Sequence, residues 1–465
     1  MSRHDFLGKR TRSIALLVAF VFIITFLYTN FYQTLPTSIH DVTTGATHDA
    51  SSMHHIDATI DELERIRPAA NASDFSEMGN RISQLADIAT HLQNQGIASH
   101  TRFDILIRDE FPWWTHPSAV LPGNQEDGMV ICVGSKNLQM AGHLILSLRN
   151  VLNYKQPIQI AYAGDDDLSP QEQTSLLKLG TSLELLNLLD YFDESIVSLK
   201  DGKYAMKPFA VIASGFRRTT LVDADVIFLK NPEGIFEEHS NASESGALFY
   251  HDRAYKSAGH SRKPWIQSIL GGKPPSSTLQ NSLFWKEDLW QEMESGVVAI
   301  DKAHPRMLVT LLFSAWMNMK YIREKQTYPN VLGDKETYWL AAELSDTPYY
   351  FQSTYAGLVG VLEPGSKSTI CSSHILHMDH TGNSPFWFNG GILLNKALDG
   401  RKFGVFTHFI TGGATMADQP AWRYNGNEYW CAEGKPAISL EDKSFQNVLE
   451  QILQEAKKVE AALAA

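Results

Sequence analysis

The chain has 465 residues, 43% of them hydrophobic and 11% aromatic, which is enough apolar material for a large core and too much for a disordered or fibrous polymer. Its formal charge is −12, and because the first twelve residues sum to +3 the remainder stands near −15, a poor match to nonspecific nucleic-acid binding. The three cysteines, Cys132, Cys371 and Cys431, exclude a small disulfide-stapled scaffold.

Arg3, Lys9, Arg10 and Arg12 precede an almost uninterrupted apolar run from Ile14 to Tyr32. As a helix this run reaches about 28 Å at ~1.5 Å per residue, close to the ~30 Å of a bilayer core. No Lys or Arg follows until Arg65, whereas Asp41, Asp49, Asp57 and Asp61 do. The positive-inside rule therefore predicts a cytosolic tail over 1–12, a transmembrane signal anchor over 13–32 and a lumenal remainder. A cleaved signal peptide is the competing reading, opposed by the length of the run and the absence of a small-x-small site. Residues 33–125 read as a lumenal stem, polar at first and then helical from Asp57 to Arg67 and from Glu77 to Gln93, where Ile82, Leu85, Ile88 and Leu92 recur at helical spacing. Asn71 and Asn241 open Asn-Ala-Ser triplets and are glycosylation acceptors if the topology is lumenal.

From about residue 126 to 440 the pattern alternates. Strands are expected at Met129 to Val133, Pro157 to Tyr162 and Leu183 to Leu186. Helices are expected at Asn137 to Leu152, near Gln171 to Leu179, and at Met206 to Ala213. This alternation predicts an α/β fold with a mostly parallel sheet and helices on both faces. A last amphipathic helix is expected within 441–465. Cys132 reads as a core residue, while Cys371 and Cys431 can pair in an oxidising lumen.

The run Thr219 to Val222 leads into Asp223-Ala224-Asp225. Alternation along extended chain lets both carboxylates point the same way, and ligands of parallel sheets gather at carboxyl ends of strands. Buried charges need a partner or a metal, and hard cations such as Mg²⁺ or Mn²⁺ take oxygen ligands while keeping positions open for phosphates. Lys207, Arg217, Arg218 and Lys335 are candidate phosphate contacts. Glu294 precedes the apolar run Val297 to Ile300, and Asp334 and Glu336 open a helix, so these three are candidate catalytic carboxylates. The plain alternative is that acids simply favour helix starts.

An ordered set of segments carries a family resemblance. It includes Val133-Gly134, Tyr162-Ala163-Gly164-Asp165, Lys207-Pro208-Phe209-Ala210, Leu221 to Asp225, Asn231-Pro232, Asp252-Arg253, Glu294 to Lys302, Gly333 to Trp339 and His377 to Asn389. Together they resemble the fungal Golgi α-mannosyltransferases of the Mnn1/Mnn2 type over about Asp127 to Lys396. The resemblance implies a GT-A-like, Rossmann-like nucleotide-diphospho-sugar fold, and a Golgi type II membrane enzyme that moves mannose from GDP-mannose to a mannosyl glycan with retention. It implies Mn²⁺ or Mg²⁺ on Asp223, Asp225 and His377, with His380 as rival to His377. Gly134, Lys207, Asp223, Lys335 and Gly382 would hold the donor, with Gly382 and Trp387 closing over the diphosphate, and Asp252, Trp339 and Trp387 would meet the acceptor. A Golgi complex or homodimer is a further partner on this reading. Rival readings are another sugar-nucleotide donor, a membrane-anchored glycoside hydrolase and an inactive lumenal glycan-binding protein.

Overall fold

The computed structural model describes residues 50–65, 74–97, 100–115, 125–440 and 443–463. The tail, the anchor, the stem to residue 49 and Asn71 lie outside the described residues, among which no helix is long and apolar enough to cross a membrane. The chain divides into two compact units, 1–54 and 55–465, and the fold described below is that of the second.

Its first eight strands are β1 (Gln125–Cys132), β2 (Ile158–Tyr162), β3 (Leu183–Asn187), β4 (Phe216–Asp223), β5 (Val226–Phe228), β6 (Ala247–His251), β7 (Met293–Asp301) and β8 (Tyr350–Tyr355). All but β5 form a central sheet in the order β3-β2-β1-β4-β7-β6-β8. The first four strands of that order are parallel, joined through the helices Leu138–Leu146, Pro170–Leu177 and Met206–Ala213, as βα alternation requires. Strand β7 runs antiparallel to both neighbours. Asp223 at the end of β4 and Glu294 at the start of β7 therefore reach the same edge of the sheet. Local signals match the elements: Ser169 and Glu172 form a capping box with Pro170 in the first turn, and Asp74 accepts from the amides of Ser76 and Glu77.

A second sheet departs from the expectation of one mostly parallel layer. The later strands are β9 (Gly357–Gly360), β10 (Thr369–Ser372), β11 (Ile375–Met378), β12 (Pro385–Asn389), β13 (Leu393–Asn395), β14 (Asp399–Phe403), β15 (His408–Ile410), β16 (Ala421–Tyr424), β17 (Trp430–Glu433) and β18 (Ile438–Ser439). Six strands pair antiparallel in the order β18-β15-β9-β11-β12-β5, and β10-β17-β16 form a small third sheet in which Cys371 and Cys431 are joined by a disulfide. Strands of two to five residues separated by glycines are too short to show a period. The helix Lys443–Leu463 covers the second sheet, placing Leu449, Ile452 and Ala456 against Ile227, Leu376 and Phe388.

The boundary expected near residue 125 does not mark the start of the body. Helix Phe75–Asn94 buries Met78, Ile82, Leu85, Ile88 and Leu92 and packs on helices Pro305–Met317 and Thr337–Leu344. Gly79 permits this approach, since a Cβ there would lie 2.7 Å from the Leu344 carbonyl oxygen.

Candidate active site

The triplet Asp223-Ala224-Asp225 is the link by which the chain leaves the central sheet at β4 and enters the second at β5. Both carboxylates are compensated by lysines from distant segments. Lys207 Nζ lies 2.7 Å from Asp223 Oδ1, donates to the carbonyl and hydroxyl oxygens of Ser295 and stands 3.7 Å from Asp334. An ammonium has three protons, so these partners occupy Lys207. Burial pushes the Asp223 carboxyl up to about 7; Lys207 opposes this, while the charges of Asp225 and Asp334 add to it. Asp334 is also raised by burial, and its Oδ2 has no hydrogen-bond partner.

Asp225 is paired with Lys396, which also lies 3.9 Å from Glu428. Burial would raise Asp225, but Lys396 holds it below the usual range. The Asp225 carbonyl oxygen accepts from the amides of Gly390 at 3.1 Å and Gly391 at 2.6 Å. Gly390 has φ +118°, and a Cβ there would come within 2.8 Å of the Ser373 carbonyl oxygen, so this turn requires glycine.

The third group stands at the start of β7. Glu294 accepts from the Gly296 amide at 3.0 Å, the Asn389 side chain at 2.9 Å and Lys335 at 2.9 Å. Burial would raise it, yet Lys335 keeps it low. Lys335 also donates to Asp252, which accepts from Arg253, so Asp252 lies far below the usual carboxylate range despite its burial. The expected residues Asp223, Asp225, Asp252, Glu294, Asp334, Lys207 and Lys335 thus come together as one alternating network at one edge of the central sheet. Gly134, just past β1, lies on this edge too, with its amide donating to Asn137.

The remaining expected residues take no part in this ion network. His377 is buried with its ring stacked on Trp387 at 3.9 Å, its Nε2 has no partner, and burial pushes its imidazole down to about 3. Its charged neighbours are Glu294, Asp252 and Lys335, and it forms no three-ligand cluster with Asp223 and Asp225. His380 pairs with Glu238 on the surface. Gly382, at φ +71°, caps the β11–β12 turn, the opposite end of β12 from Asn389 and Gly390, so it does not cradle a group at Asp225. Trp339 and Trp387 are fully buried and cannot present a face to an acceptor; Trp339 is spent on Glu336. Glu336, pushed up to about 7 by burial, accepts from the Glu292 amide and serves the core. Arg218 is taken by Asp127 and Glu237, and Arg217 lies 3.6 Å from Asp301, at the far end of β4. Asn241 is exposed on a short helix.

The sequence reading missed Lys396, Ser295 and the Asn389-Gly390-Gly391 turn as site residues. Only the turn carried a local signal, a Gly pair following a strand. It also missed His374, beside Asp225 and Lys396, whose ring nitrogens engage the Ser372 hydroxyl and the Leu393 carbonyl, each at 2.7 Å.

Two oxygen donors, Asp223 and Asp225, suit a hard divalent cation: Asp223 is a carboxyl that burial and two neighbouring acids hold near neutral pH, and added positive charge would relieve it. Among the described residues the only three-ligand grouping is Glu363 with Cys371 and Cys431, and the disulfide closes that to a metal.

The family model described as "Mannosyltransferase putative" matches residues 126–379, more than half of the chain. The chain belongs to this mannosyltransferase family. The matched span contains Asp223, Asp225, Asp252, Glu294 and Asp334. The chain is 23% identical over 368 residues to the alpha-1,3-mannosyltransferase MNN1 of Saccharomyces cerevisiae, covering 67% of this chain and 47% of that protein. It is 26% identical over 305 residues to the alpha-1,3-mannosyltransferase MNT2 of the same yeast, covering 58% and 52%. The chain thus spans about half the length of these relatives, and the resemblance to Mnn1-type enzymes holds. Among solved structures it is similar to the mannosyltransferase Ktr4p of Saccharomyces cerevisiae, with 14% identity, TM-score 0.34, and coverage of 66% of this chain and 84% of that one.

Proposed function

We propose that this protein transfers mannose from GDP-mannose to a mannosyl glycan with retention, in a GT-A-like fold, as a single-pass type II enzyme of the Golgi lumen. The α-1,3 linkage in its relatives' names is the linkage proposed here. The observation that carries the reading is the link Asp223-Ala224-Asp225 at the junction of two sheets, inside the span that matches a mannosyltransferase family.

Asp223 and Asp225 would hold Mn²⁺ or Mg²⁺, which when bound supplies charge stabilisation to a diphosphate leaving group. Lys396 is the cation best placed to meet that diphosphate, being partly exposed and free to leave Asp225 when positive charge arrives there. Glu294, buried and fixed by Lys335, Asn389 and the Gly296 amide, would act on an oxocarbenium-like centre through its fixed negative charge rather than by direct contact. Lys207 keeps Asp223 and Asp334 compensated.

The test is incubation of the detergent-solubilised full chain with Mn²⁺, a panel of sugar nucleotides and an α-mannoside, followed by linkage analysis. Mannosyl transfer lost on chelation, and reduced at least about 10²-fold by Asp225→Ala, is the expected result. Turnover with a different donor alone overturns the donor assignment, and full activity of Asp225→Ala overturns the metal site.

A further inference from the structure

The hairpin formed by β16 and β17 spans the site just described. At its turn, the Asn427 carbonyl oxygen accepts from the Asn395 side chain at 3.2 Å, and Glu428 lies 3.9 Å from Lys396, the partner of Asp225. Where the turn enters β17, Trp430, paired across the hairpin with Tyr424, lies under the Arg253 guanidinium at 4.4 Å, and Arg253 donates to Asp252. One hairpin therefore touches the cations of both Asp225 and Asp252. Next to Trp430 in sequence, Cys431 is tied to Cys371 on β10, which anchors the hairpin to the body.

The hairpin carries an aromatic surface. Tyr424 is 55% exposed and packs on Trp430 with centroids 4.9 Å apart and planes at 45°, and Tyr255 meets Trp430 edge-on at 5.1 Å. What sets Tyr424 apart from the equally exposed Tyr204 and Tyr321 is its place on a hairpin whose turn reaches Lys396 and whose Trp430 meets Arg253. A pyranose has a face of C–H groups, which suits the negative face of an aromatic ring, and a rim of hydroxyls, which suits Glu428 and Arg253.

We propose that Tyr424, held by Trp430, is a stacking platform for a sugar of the acceptor glycan one or more residues removed from the reacting unit. Resting on the mannosyl-transfer reading, the proposal names the acceptor as an oligosaccharide, since a single mannose at the Asp225–Glu294 edge would not need the platform.

Steady-state kinetics of the full chain with α-mannotriose and with methyl α-mannoside test it. Tyr424→Ala is expected to raise KM for mannotriose about tenfold, with Tyr424→Phe within about twofold of wild type and KM for the sugar nucleotide also within about twofold. Methyl α-mannoside should show no comparable change. An unchanged KM for mannotriose in Tyr424→Ala overturns the platform, as does an equal rise for both acceptors. If no sugar nucleotide is turned over, the transfer reading fails and the platform is judged by binding alone. Saturable quenching of tryptophan fluorescence by α-mannotriose that Tyr424→Ala abolishes supports the platform, and its absence in the wild type overturns it.

Discussion

A lysine between carboxylates at the proposed nucleotide-sugar site can either meet phosphate or neutralise the carboxylates, and at Lys207 the geometry decides. Its ammonium is buried, with Asp223, Ser295 and Asp334 around it, and these acids hold its pKa above the usual range even though burial alone would lower it. Removing one partner of such a buried group strands the other charges, which costs about 3–5 kcal/mol. Lys207→Met is therefore expected to lower urea stability by that amount, whereas a phosphate-binding role would raise donor KM and leave stability intact. Lys396 is the contrasting case, with 29% of its side chain exposed. Lys396→Met should raise KM for the sugar nucleotide about tenfold, with a stability loss confined to the one buried carboxylate it leaves uncompensated, Asp225. The acids of this site were legible in the sequence because carboxylates in apolar runs demand a partner. Which lysine answers which acid was not, since Lys207 and Asp223 are brought together by the crossover from helix to β4, and Lys396 reaches Asp225 from the turn between β13 and β14.

At the scale of elements, the parallel half of the central sheet was readable from alternating apolar runs and helical spacing. The second sheet was not, because β5, β9, β11 and β12 have three to five residues each and gain their identity by pairing with partners far along the chain. This is also why Gly382 and Trp387 were misplaced: the β11–β12 hairpin turns its glycine away from Asp225 and seats its tryptophan in the core. A different link joins β7 to helix Met206–Ala213, where Lys302 is buried and donates to the Val211 carbonyl and to the carbonyl and hydroxyl of Ser214, all uncharged. Burial pushes this ammonium down to about 7. Below pH 7 both folded and unfolded chains carry its proton. Between pH 7 and its ordinary value of 10.5 only the unfolded chain does, so stability from this residue rises with pH. Urea midpoints of wild type and Lys302→Met at pH 7 and pH 9 should separate further in favour of wild type at the higher pH. A difference that stays constant would mean that Lys302 titrates normally.

For the whole molecule, the question is where the folded body begins. Composition shifts suggest residue 126, and the family match begins there too. Packing gives a different answer. Phase-like alternation starts at β1, but helix Phe75–Asn94 sets Phe75 against Trp265 and Trp316 with centroids 5.9 and 5.4 Å away, and Arg81 ties it to Glu110 and to the Leu63 carbonyl. Six of its buried apolar residues, Phe75, Met78, Ile82, Leu85, Ile88 and Leu92, contribute about 1.5–3 kcal/mol each by burial. Their sum is comparable to the ~5–15 kcal/mol net stability of a typical domain. The surface they cover is itself apolar, so a body lacking them exposes part of its core along Pro305–Met317 and Thr337–Leu344, next to the loop that carries Asp334 and Lys335. A fragment starting at residue 55 is therefore expected to be soluble and to melt cooperatively, and a fragment starting at residue 126 to aggregate or to bind a hydrophobic dye without a cooperative transition. Thermal melting of the two fragments side by side checks this. A cooperative transition for the shorter fragment within a few degrees of the longer one would show that the helices before β1 decorate the body rather than complete it.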